Sequence, residues 1–314
     1  MKAIGIDLGG TNLKAAVVDK KAGIIEQISI SSQANMGPEH VLDRIADTAL
    51  KLAKKTDVIG IGLGLPGMVS IDQTTVSNPP NLTGWGVVNA AAEITKRTNI
   101  RCKIENDANV AALGSLHFGA GQRFSDFIMI TLGTGVGGGI ILNKKIFKGP
   151  QGMAGELGHV IIDYHGPLSN SVTRGTVEAY LGQRFLSRYA SDLISQQPDN
   201  PLYKKFANDF DKLEPVDLTK AAKEGNALAI EILMKSGQKL GYAIINYVHM
   251  LDIRKFIVSG GVSKAGEFIF APAKDIVRKH MMEPFQEGFE LVHEDLGNDS
   301  ALLGAASLAF DSFS

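Results

Sequence analysis

Two glycine-rich loops, each lying between short apolar segments, constrain this chain more than any other feature. The first covers residues 7–11 (DLGGT), and the second covers residues 132–139 (LGTGVGGG). Because glycine lacks a Cβ atom, the backbone N–H groups of such a loop can approach and surround an anion. One such loop alone is more typical of a plain β-hairpin turn. Two of them, each with a threonine hydroxyl, predict two phosphate-binding clamps.

The common nucleotide-binding motifs do not account for these loops. The chain lacks the Gly-x4-Gly-Lys-Ser/Thr pattern of a P-loop. The letters G-x-G-x-x-G occur at residues 62–67 and 133–138, but the first copy contains Pro66 and the second continues into a strand-like segment. A dinucleotide fold needs this pattern to open a helix, so that fold is excluded.

Composition excludes further classes of protein. The 314 residues are 44% hydrophobic and carry a net charge of −1, which argues against wholesale disorder and against a nucleic-acid or membrane partner. One cysteine cannot form an internal disulfide. Asp7 interrupts any signal-peptide core, and the apolar residues 58–71 are too few to span a bilayer. We therefore expect a cytoplasmic protein. Its 35 glycines exceed the usual share, and we assign this surplus largely to the two glycine-rich loops, a turn near Gly67 and the loop at Gly260.

Hydrophobic periodicity predicts strands and helices mixed along the whole chain, which is typical of an α/β fold. Strands are predicted at residues 3–7, 13–18, 23–30, 57–65, 101–105, 127–132, 137–142 and 254–259. Helices are predicted at residues 38–55, 86–98, 107–118, 175–195, 217–224, 226–251, 267–282 and 300–310. The polar residues 196–214 are interpreted as an exposed connection between helices.

Several carboxylates follow these elements at positions suited to chemistry. Asp107 opens the helix after the strand at 101–105, where an aspartate is either an N-cap or a base for a substrate hydroxyl. Glu156 has His159 three residues later, and Glu178 follows. Such side chains suit a polyhydroxyl ligand. Glu156 and His159 are also compatible with a surface pair, or with a metal pair that lacks further ligands.

Together these motifs resemble the ROK family, which contains sugar kinases and related repressors of the actin/hexokinase-like ATPase superfamily. Residues 7–12 resemble its first phosphate motif, residues 105–114 its catalytic segment and residues 131–139 its second phosphate motif. Residues 155–159 resemble its sugar-binding motif, and residues 258–262 its adenosine-side loop. The motifs occur in the family's order and span nearly the whole chain.

The resemblance implies an α/β, two-domain actin/hexokinase-like (ribonuclease H-like) ATPase fold with a cleft between the domains. The smaller N-terminal domain would contain residues 1–108 plus about 299–314, and the larger domain residues 109–298. ATP and sugar would bind in the cleft, which is expected to close on the sugar and exclude water.

The resemblance also assigns roles to individual residues. Asp107 would be the general base that takes the proton from the primary hydroxyl of the sugar, and Asp7 would position Mg²⁺ through water. The implied sugar-binding residues are Gly67, Asn81, Asn106, Asp107, Glu156, His159 and Glu178. The implied ATP-binding residues are Asp7, Gly9, Gly10, Thr11, Asn12, Thr131, Gly133, Thr134, Gly135, Gly260 and Gly261.

The implied activity is ATP-dependent phosphorylation of the 6-hydroxyl of a hexose, a reaction of glycolysis when the hexose is glucose. Residues 80–85 (PNLTGW) resemble a stretch common in the glucokinases of the family, although Trp85 is equally suited to packing. N-acetylmannosamine, N-acetylglucosamine, fructose and allose remain alternative substrates, and a non-catalytic sugar-sensing role is a further alternative. Repressors carry a DNA-binding segment before the first phosphate motif, and Asp7 leaves no room for one here. A homodimer or homotetramer is expected.

One departure from the family concerns zinc. Family members carry Cys-x-Cys-Gly-x-x-Gly-Cys-x-Glu, whereas the matching residues 169–178 here read SNSVTRGTVE. Gly175 and Glu178 are kept, but Ser169, Ser171 and Thr176 replace the cysteines. Because neutral hydroxyls are poor zinc ligands, we expect no zinc and a segment held by hydroxyl hydrogen bonds.

Overall fold

The structure of the protein, a computed structural model, describes residues 1–170 and 172–314. Ser171, one of the positions expected to replace a zinc-binding cysteine, lies outside the described residues. The chain forms two compact units, and strands and helices occur in both. The first unit contains Met1–Asp126, Gly139–Gly155 and Asp295–Ser314, and the second contains Phe127–Gly138 and Glu156–Glu294.

The strands of the described chain match most of the predicted ones. They are β1 (Lys2–Leu8), β2 (Asn12–Asp19), β3 (Gly23–Ser31), β4 (Ile61–Leu65), β5 (Met68–Val69), β6 (Val76–Ser77), β7 (Val87–Val88), β8 (Cys102–Asn106), β9 (Phe127–Leu132), β10 (Val136–Leu142), β11 (Lys145–Ile146), β12 (Lys255–Ser259) and β13 (Glu290–His293). The short strands β5, β6, β7 and β11, as well as β13, were not predicted.

The described residues form ten α-helices. They are α1 (Pro38–Ala53), α2 (Ala90–Thr98), α3 (Asp107–Phe118), α4 (Glu178–Leu181), α5 (Gln183–Ile194), α6 (Pro201–Phe206), α7 (Pro215–Lys223), α8 (Ala227–Leu251), α9 (Glu267–His280) and α10 (Ser300–Phe313). Among the described residues, no helix is long and apolar enough to cross a membrane.

The first unit is built on a five-stranded sheet in the order β3-β2-β1-β4-β8. Strand β1 pairs antiparallel with β2 and parallel with β4, and β4 pairs parallel with β8. Because side chains alternate along a strand, β1 contributes to two cores. Ile4 and Ile6 pack with Val41 and Leu42 of α1, whereas Ala3 packs with α10.

Close packing of α10 explains two glycines that lie outside the glycine-rich loops. A Cβ atom on Gly62 of β4 would lie 1.7 Å from the carbonyl oxygen of Ala305, and one on Gly304 would lie 1.5 Å from that of Val110 in α3. Both values are far below a possible contact, so these glycines allow α10 to touch the sheet and α3. Some glycines of this chain therefore serve helix packing rather than a loop. Helix α3, at the predicted domain boundary, packs against α10 within the first unit.

The sheet to which the second unit contributes has five strands in the order β11-β10-β9-β12-β13, with β12 parallel to both of its neighbours. Strand β10 begins in this unit, and its last residues belong to the first unit. The long helix α8 packs against α7 and α9. Its buried side includes Ile232, Leu240 and Tyr247.

Two predictions from the sequence were wrong in part. Residues 196–214 contain helix α6, which starts with Asn200 as N-cap, because its side chain accepts a hydrogen bond from the Leu202 N–H (3.0 Å). Leu202 and Phe206 are buried, so this helix contributes to the core. The helix predicted at residues 175–195 is two helices, because Gly182 has an extended backbone between α4 and α5.

Candidate active site

The turn from β8 into α3 carries the predicted catalytic segment. Asn106 is the N-cap of α3, because its Oδ1 accepts hydrogen bonds from the N–H groups of Ala108 (2.9 Å) and Asn109 (3.4 Å). Asp107 is therefore the first helical residue, and its Oδ1 also accepts from the Ala108 N–H (2.9 Å). The Asp107 side chain is exposed. The capping role considered for Asp107 thus belongs mainly to Asn106, and the helix N-terminus stabilises an exposed carboxylate beside it.

Contacts within the first unit connect Asn106 to two further predicted sugar-binding positions. The Asn106 Nδ2 donates to the Gly67 carbonyl oxygen (3.2 Å). A Cβ atom on Gly67, which has a φ of 107°, would lie 2.8 Å from the Cα of Pro79. Asn81, two residues later, approaches the first glycine loop, since a Cβ atom on Gly10 would lie 3.2 Å from the Asn81 Cβ. The first unit thus brings Asn106, Gly67 and Asn81 into one neighbourhood.

The first glycine loop is the turn of the β1–β2 hairpin. The Gly9 N–H donates to the Asn12 carbonyl oxygen (2.9 Å), and the Ser32 hydroxyl donates to the Gly10 carbonyl oxygen (2.9 Å). Gly10, Thr11 and Asn12 are exposed. The hairpin turn and the predicted phosphate clamp are therefore the same structure, with its tip open to a ligand.

Asp7 lies near the end of β1, opposite Lys14 on β2. Burial raises the pKa of its carboxyl group, and the positive charge of Lys14 partly offsets this effect. Among the described residues, no hydrogen bond to this carboxylate is present. A partly buried carboxylate with free acceptor positions is the kind of group that holds a hydrated Mg²⁺, which keeps several of its waters. The residue therefore fits the ion that the sequence implied.

Trp85, the aromatic residue of the segment 80–85, is buried in the core of the first unit. Its indole Nε1 is buried and has no hydrogen-bond partner among the described residues. Of the two interpretations given for this residue, the structure favours packing.

In the second unit, the second glycine loop is held by Glu178. The Gly133 N–H donates to the Gly135 carbonyl oxygen (3.0 Å), and the Glu178 Oε2 accepts from the Val136 N–H (3.1 Å). A Cβ atom on Gly135 would lie 2.2 Å from the same Oε2. Glu178, predicted to bind sugar, is therefore in contact with the loop predicted to bind phosphate.

Glu156 and His159 lie at either end of a short 3₁₀ turn, Leu157–His159. The Tyr247 hydroxyl of α8 donates to the Leu157 carbonyl oxygen (2.7 Å), and a Cβ atom on Gly158 would lie 2.0 Å from the Val136 carbonyl oxygen. These contacts hold the backbone of the turn in place. The two side chains that were predicted to bind sugar remain largely exposed. The Glu156 and His159 side chains are 64% and 46% exposed, and Oε2 and Nε2 are 3.8 Å apart.

The adenosine-side loop and the second glycine loop start from neighbouring strands. Thr131 of β9 is paired with Ser259 of β12 in a parallel register, so both loops leave the same edge of the sheet. Gly260 has a φ of 95°, and a Cβ atom there would lie 2.3 Å from the Leu132 carbonyl oxygen. The Ser263 hydroxyl donates to the Gly260 carbonyl oxygen (2.7 Å). Thr134, Gly133 and Gly261 belong to the same two loops.

Hydrogen bonds hold the segment that matches the family's zinc motif. The Ser169 N–H donates to the Thr173 carbonyl oxygen (2.9 Å), and the Thr176 Oγ1 accepts from the Ala179 N–H (3.3 Å). Among the described residues, no group of three or more His, Cys, Asp or Glu side chains could hold a metal ion. The absence of zinc stays a prediction.

The sequence analysis did not single out Asp163, whose N–H donates to the carbonyl oxygen of Gly175 in this segment (3.2 Å). Asp163 Oδ2 accepts a hydrogen bond from the Tyr180 hydroxyl (2.7 Å) and one from the Lys239 Nζ (3.1 Å). These partners hold the pKa of Asp163 below its usual range. Lys239 is 59 residues from Tyr180, and no local pattern connects the three.

The family is settled by comparison with known proteins. The ROK family model matches residues 3–312, so this chain belongs to the ROK family. The chain is 33% identical to a glucokinase of Thermotoga maritima over 98% of its own length and 97% of the relative's. It is 28% identical to an N-acetylmannosamine kinase of Haemophilus influenzae, over 98% and 94%.

A solved structure agrees. The ROK family glucokinase from Streptomyces griseus, in complex with glucose and AMPPNP, matches with a TM-score of 0.85 and 31% identity, covering 99% of this chain and 100% of that one. The predicted family and the actin/hexokinase-like α/β fold are thereby confirmed.

Proposed function

We propose that this protein phosphorylates the 6-hydroxyl of a hexose with ATP, and that glucose is its preferred sugar. The observation that carries the proposal is the exposed carboxylate of Asp107 at the start of α3, beside the capping side chain of Asn106. The similarity to glucokinases along nearly the whole chain supports the same conclusion.

Phosphoryl transfer asks little covalent chemistry of a protein, because the reaction depends on positioning the hydroxyl and on stabilising the charge of the phosphates. Asp107 accepts the proton of the attacking hydroxyl, a contribution of about 10²–10⁴ in rate. Asn106 and Asn81 of the first unit, and Glu156, His159 and Glu178 of the second, bind the sugar hydroxyls. The backbone N–H groups of the two glycine loops bind the phosphates.

Asp7 would hold Mg²⁺ through water, as its partly buried and incompletely satisfied carboxylate suggests. When bound, the ion supplies positive charge that neutralises the phosphate oxygens. The positive charge of Lys14, opposite Asp7 on β2, favours the charged form of this carboxylate.

A coupled assay with Mg-ATP and a panel of sugars tests the proposal. The panel contains glucose, mannose, fructose, allose, N-acetylglucosamine and N-acetylmannosamine. We expect kcat/KM to be at least tenfold higher for glucose than for any other sugar. A maximum for N-acetylmannosamine would instead favour the activity named for the relative from Haemophilus influenzae. If no sugar is phosphorylated, the proposed function is wrong.

We further propose a cytoplasmic enzyme that acts in glycolysis as a homodimer or homotetramer and holds no zinc. Light scattering coupled to size-exclusion chromatography measures the oligomeric state, and a monomer would contradict it. Elemental analysis of the purified protein tests the absence of zinc, and a near-stoichiometric content would contradict it. In either case the proposed reaction would stand, because its test is separate.

A further inference from the structure

A buried ion pair lies directly before the start of α3. Glu105, the second-last residue of β8, has a side chain that is 1% exposed, and the Lys148 side chain is 10% exposed. The Lys148 Nζ is 2.8 Å from the Glu105 Oε2 and also donates to the Ser70 carbonyl oxygen (2.9 Å). A charged pair this deeply buried is unusual, because removing two charges from water costs several kcal/mol per ion.

The Glu105 carboxylate has further donors on both oxygens. Its Oε2 also accepts from the Gln73 Nε2 (2.9 Å), and its Oε1 accepts from the Asn106 N–H (2.9 Å) and the Asn109 Nδ2 (3.1 Å). Four donors therefore fix the orientation of a single buried carboxylate. Two of them belong to the N-cap and the first turn of α3.

Gln73 is itself held in a costly conformation. Its φ is 60°, which is uncommon for residues other than glycine. Its carbonyl oxygen accepts from the Ile104 N–H (3.0 Å), so it is bonded to β8 through backbone and side chain. Strain of this kind persists where the surroundings determine the conformation strongly, and it is frequent at functional sites.

Through Lys148, the loop of residues 148–154 is attached to the Glu105 carboxylate. The Ala154 N–H donates to the Lys148 carbonyl oxygen (2.9 Å), which closes residues 148–154 into a loop. Glu156 follows this loop in the chain. The ion pair thus joins the base of that loop to the start of α3, within the first unit.

We propose that Glu105 and Lys148 are positioning residues, which hold Asn106 and Asp107 in the orientation needed for proton transfer from the sugar. Neither residue touches the sugar in this role, and both act through the first turn of α3. The inference rests on the proposed role of Asp107 as the base. Mutation of either positioning residue is expected to lower kcat, because misplacing a catalytic group by about 1 Å can lower the rate about 10²-fold.

Lys148→Met tests the inference by leaving Glu105 without its charged partner. We expect kcat for glucose to fall about 10²-fold, with KM for ATP changing less than about threefold. The double variant Glu105→Gln with Lys148→Met removes both charges and is expected to recover at least tenfold in kcat over the single variant. Lys55→Met is the matched control, because Lys55 forms an exposed pair with Glu26 in the same unit (2.5 Å). Its kcat should equal that of the wild type.

Each variant is assayed below its thermal midpoint, so that the folded fraction is known. A folded Lys148→Met with wild-type kcat, or a double variant no faster than the single one, would overturn the inference. If Lys148→Met does not fold, Gln73→Asn replaces it, because asparagine tolerates the same backbone but is too short to reach Glu105. This variant should lose about three- to tenfold in kcat, and an unchanged kcat would again overturn the inference. A wild type that phosphorylates no sugar would overturn the proposed function instead.

Discussion

Glu105 and Glu156 are glutamates of the motifs at residues 105–114 and 155–159, yet their environments are opposite. Glu105 is 1% exposed and is fixed by Lys148 and three further donors in the first unit. Glu156, in the second unit, is 64% exposed, and its Oε2 lies 3.8 Å from the His159 Nε2.

This difference in burial indicates that Glu105 supports the structure and that Glu156 is available to a ligand. A carboxylate whose acceptor positions are all used by the protein can hold backbone in place but has nothing left for a ligand. A carboxylate with free positions can bind sugar hydroxyls but does little for stability, because exposed pairs contribute about 0–1 kcal/mol. Mutations should therefore separate stability from substrate binding at these two glutamates.

The largest effect is expected at Asp107, the exposed acid that Glu105 helps to place. Asp107→Asn should lower kcat about 10²–10⁴-fold, because the amide cannot accept the proton of the sugar hydroxyl. Steady-state kinetics with glucose measure this change. Asp311→Asn, an exposed acid of the same unit that pairs with His117 (3.2 Å), is the control and should keep the wild-type rate. Full activity of Asp107→Asn would remove the proposed base.

The next effect is one of stability. Glu105→Gln leaves the buried Lys148 without a counter-charge, so the free energy of unfolding should fall by about 3–5 kcal/mol. Urea unfolding measures it. Glu156→Gln, with the same chemical change at an exposed site, should stay within about 0.5 kcal/mol of the wild type. Equal losses at both positions would contradict the comparison.

For substrate binding the order of the two glutamates should be reversed, with the larger effect at Glu156. Glu156→Gln should raise KM for glucose about 10–100-fold, since a hydrogen bond to a charged group contributes about 1.5–3 kcal/mol. Kinetics at varied glucose and saturating ATP provide the measurement. An unchanged KM would instead favour the alternative given in the sequence analysis, in which Glu156 and His159 are a surface pair without a role in sugar binding.

Asp7 of the first unit is, like Glu156, an acid with free acceptor positions, but it is partly buried. Because burial raises its pKa, the charged form destabilises the fold, and stability is lost as pH rises through the raised pKa. Asp7→Asn should therefore melt at a higher temperature than the wild type at pH 7 without Mg²⁺. The gap should close below about pH 4, where the wild-type carboxyl is protonated. Equal melting temperatures of Asp7→Asn and the wild type at both pH values would contradict this expectation. Whatever the effect on stability, kcat of Asp7→Asn should be at least tenfold lower, because the residue would no longer hold Mg²⁺.

The smallest effect is expected in the segment with Asp163. Tyr180→Phe removes the hydroxyl that donates to Asp163 (2.7 Å), and a lost hydrogen bond of about 0.5–1.5 kcal/mol should raise KM for glucose about two- to tenfold. Glu178 begins the same short helix, which is why the sugar KM should respond. Tyr164→Phe, at a tyrosine that is 77% exposed, is the control and should have no effect. An equal change in KM for glucose in both variants would show that the bond from Tyr180 to Asp163 does not influence sugar binding.

The sequence predicted those elements whose signals are local. Helix α3 has the predicted bounds, because an N-cap asparagine and a glycine after Phe118 mark its ends. Helix α6 was missed, because its six residues show too little periodicity and its burial depends on distant neighbours. The predicted roles of the site residues, the domain boundary and the absence of zinc stay predictions.

What the sequence by itself determined is the family, the fold class and the positions of both glycine loops, since each depends on residues close together in the chain. The tertiary structure decided which carboxylate became a buried support and which stayed open to a ligand. Lys148 follows Glu105 by 43 residues, and α10 reaches Gly62 from the far end of the chain. Burial and charge pairing depend on neighbours in space, so two glutamates that look alike in the sequence acquire opposite physical roles.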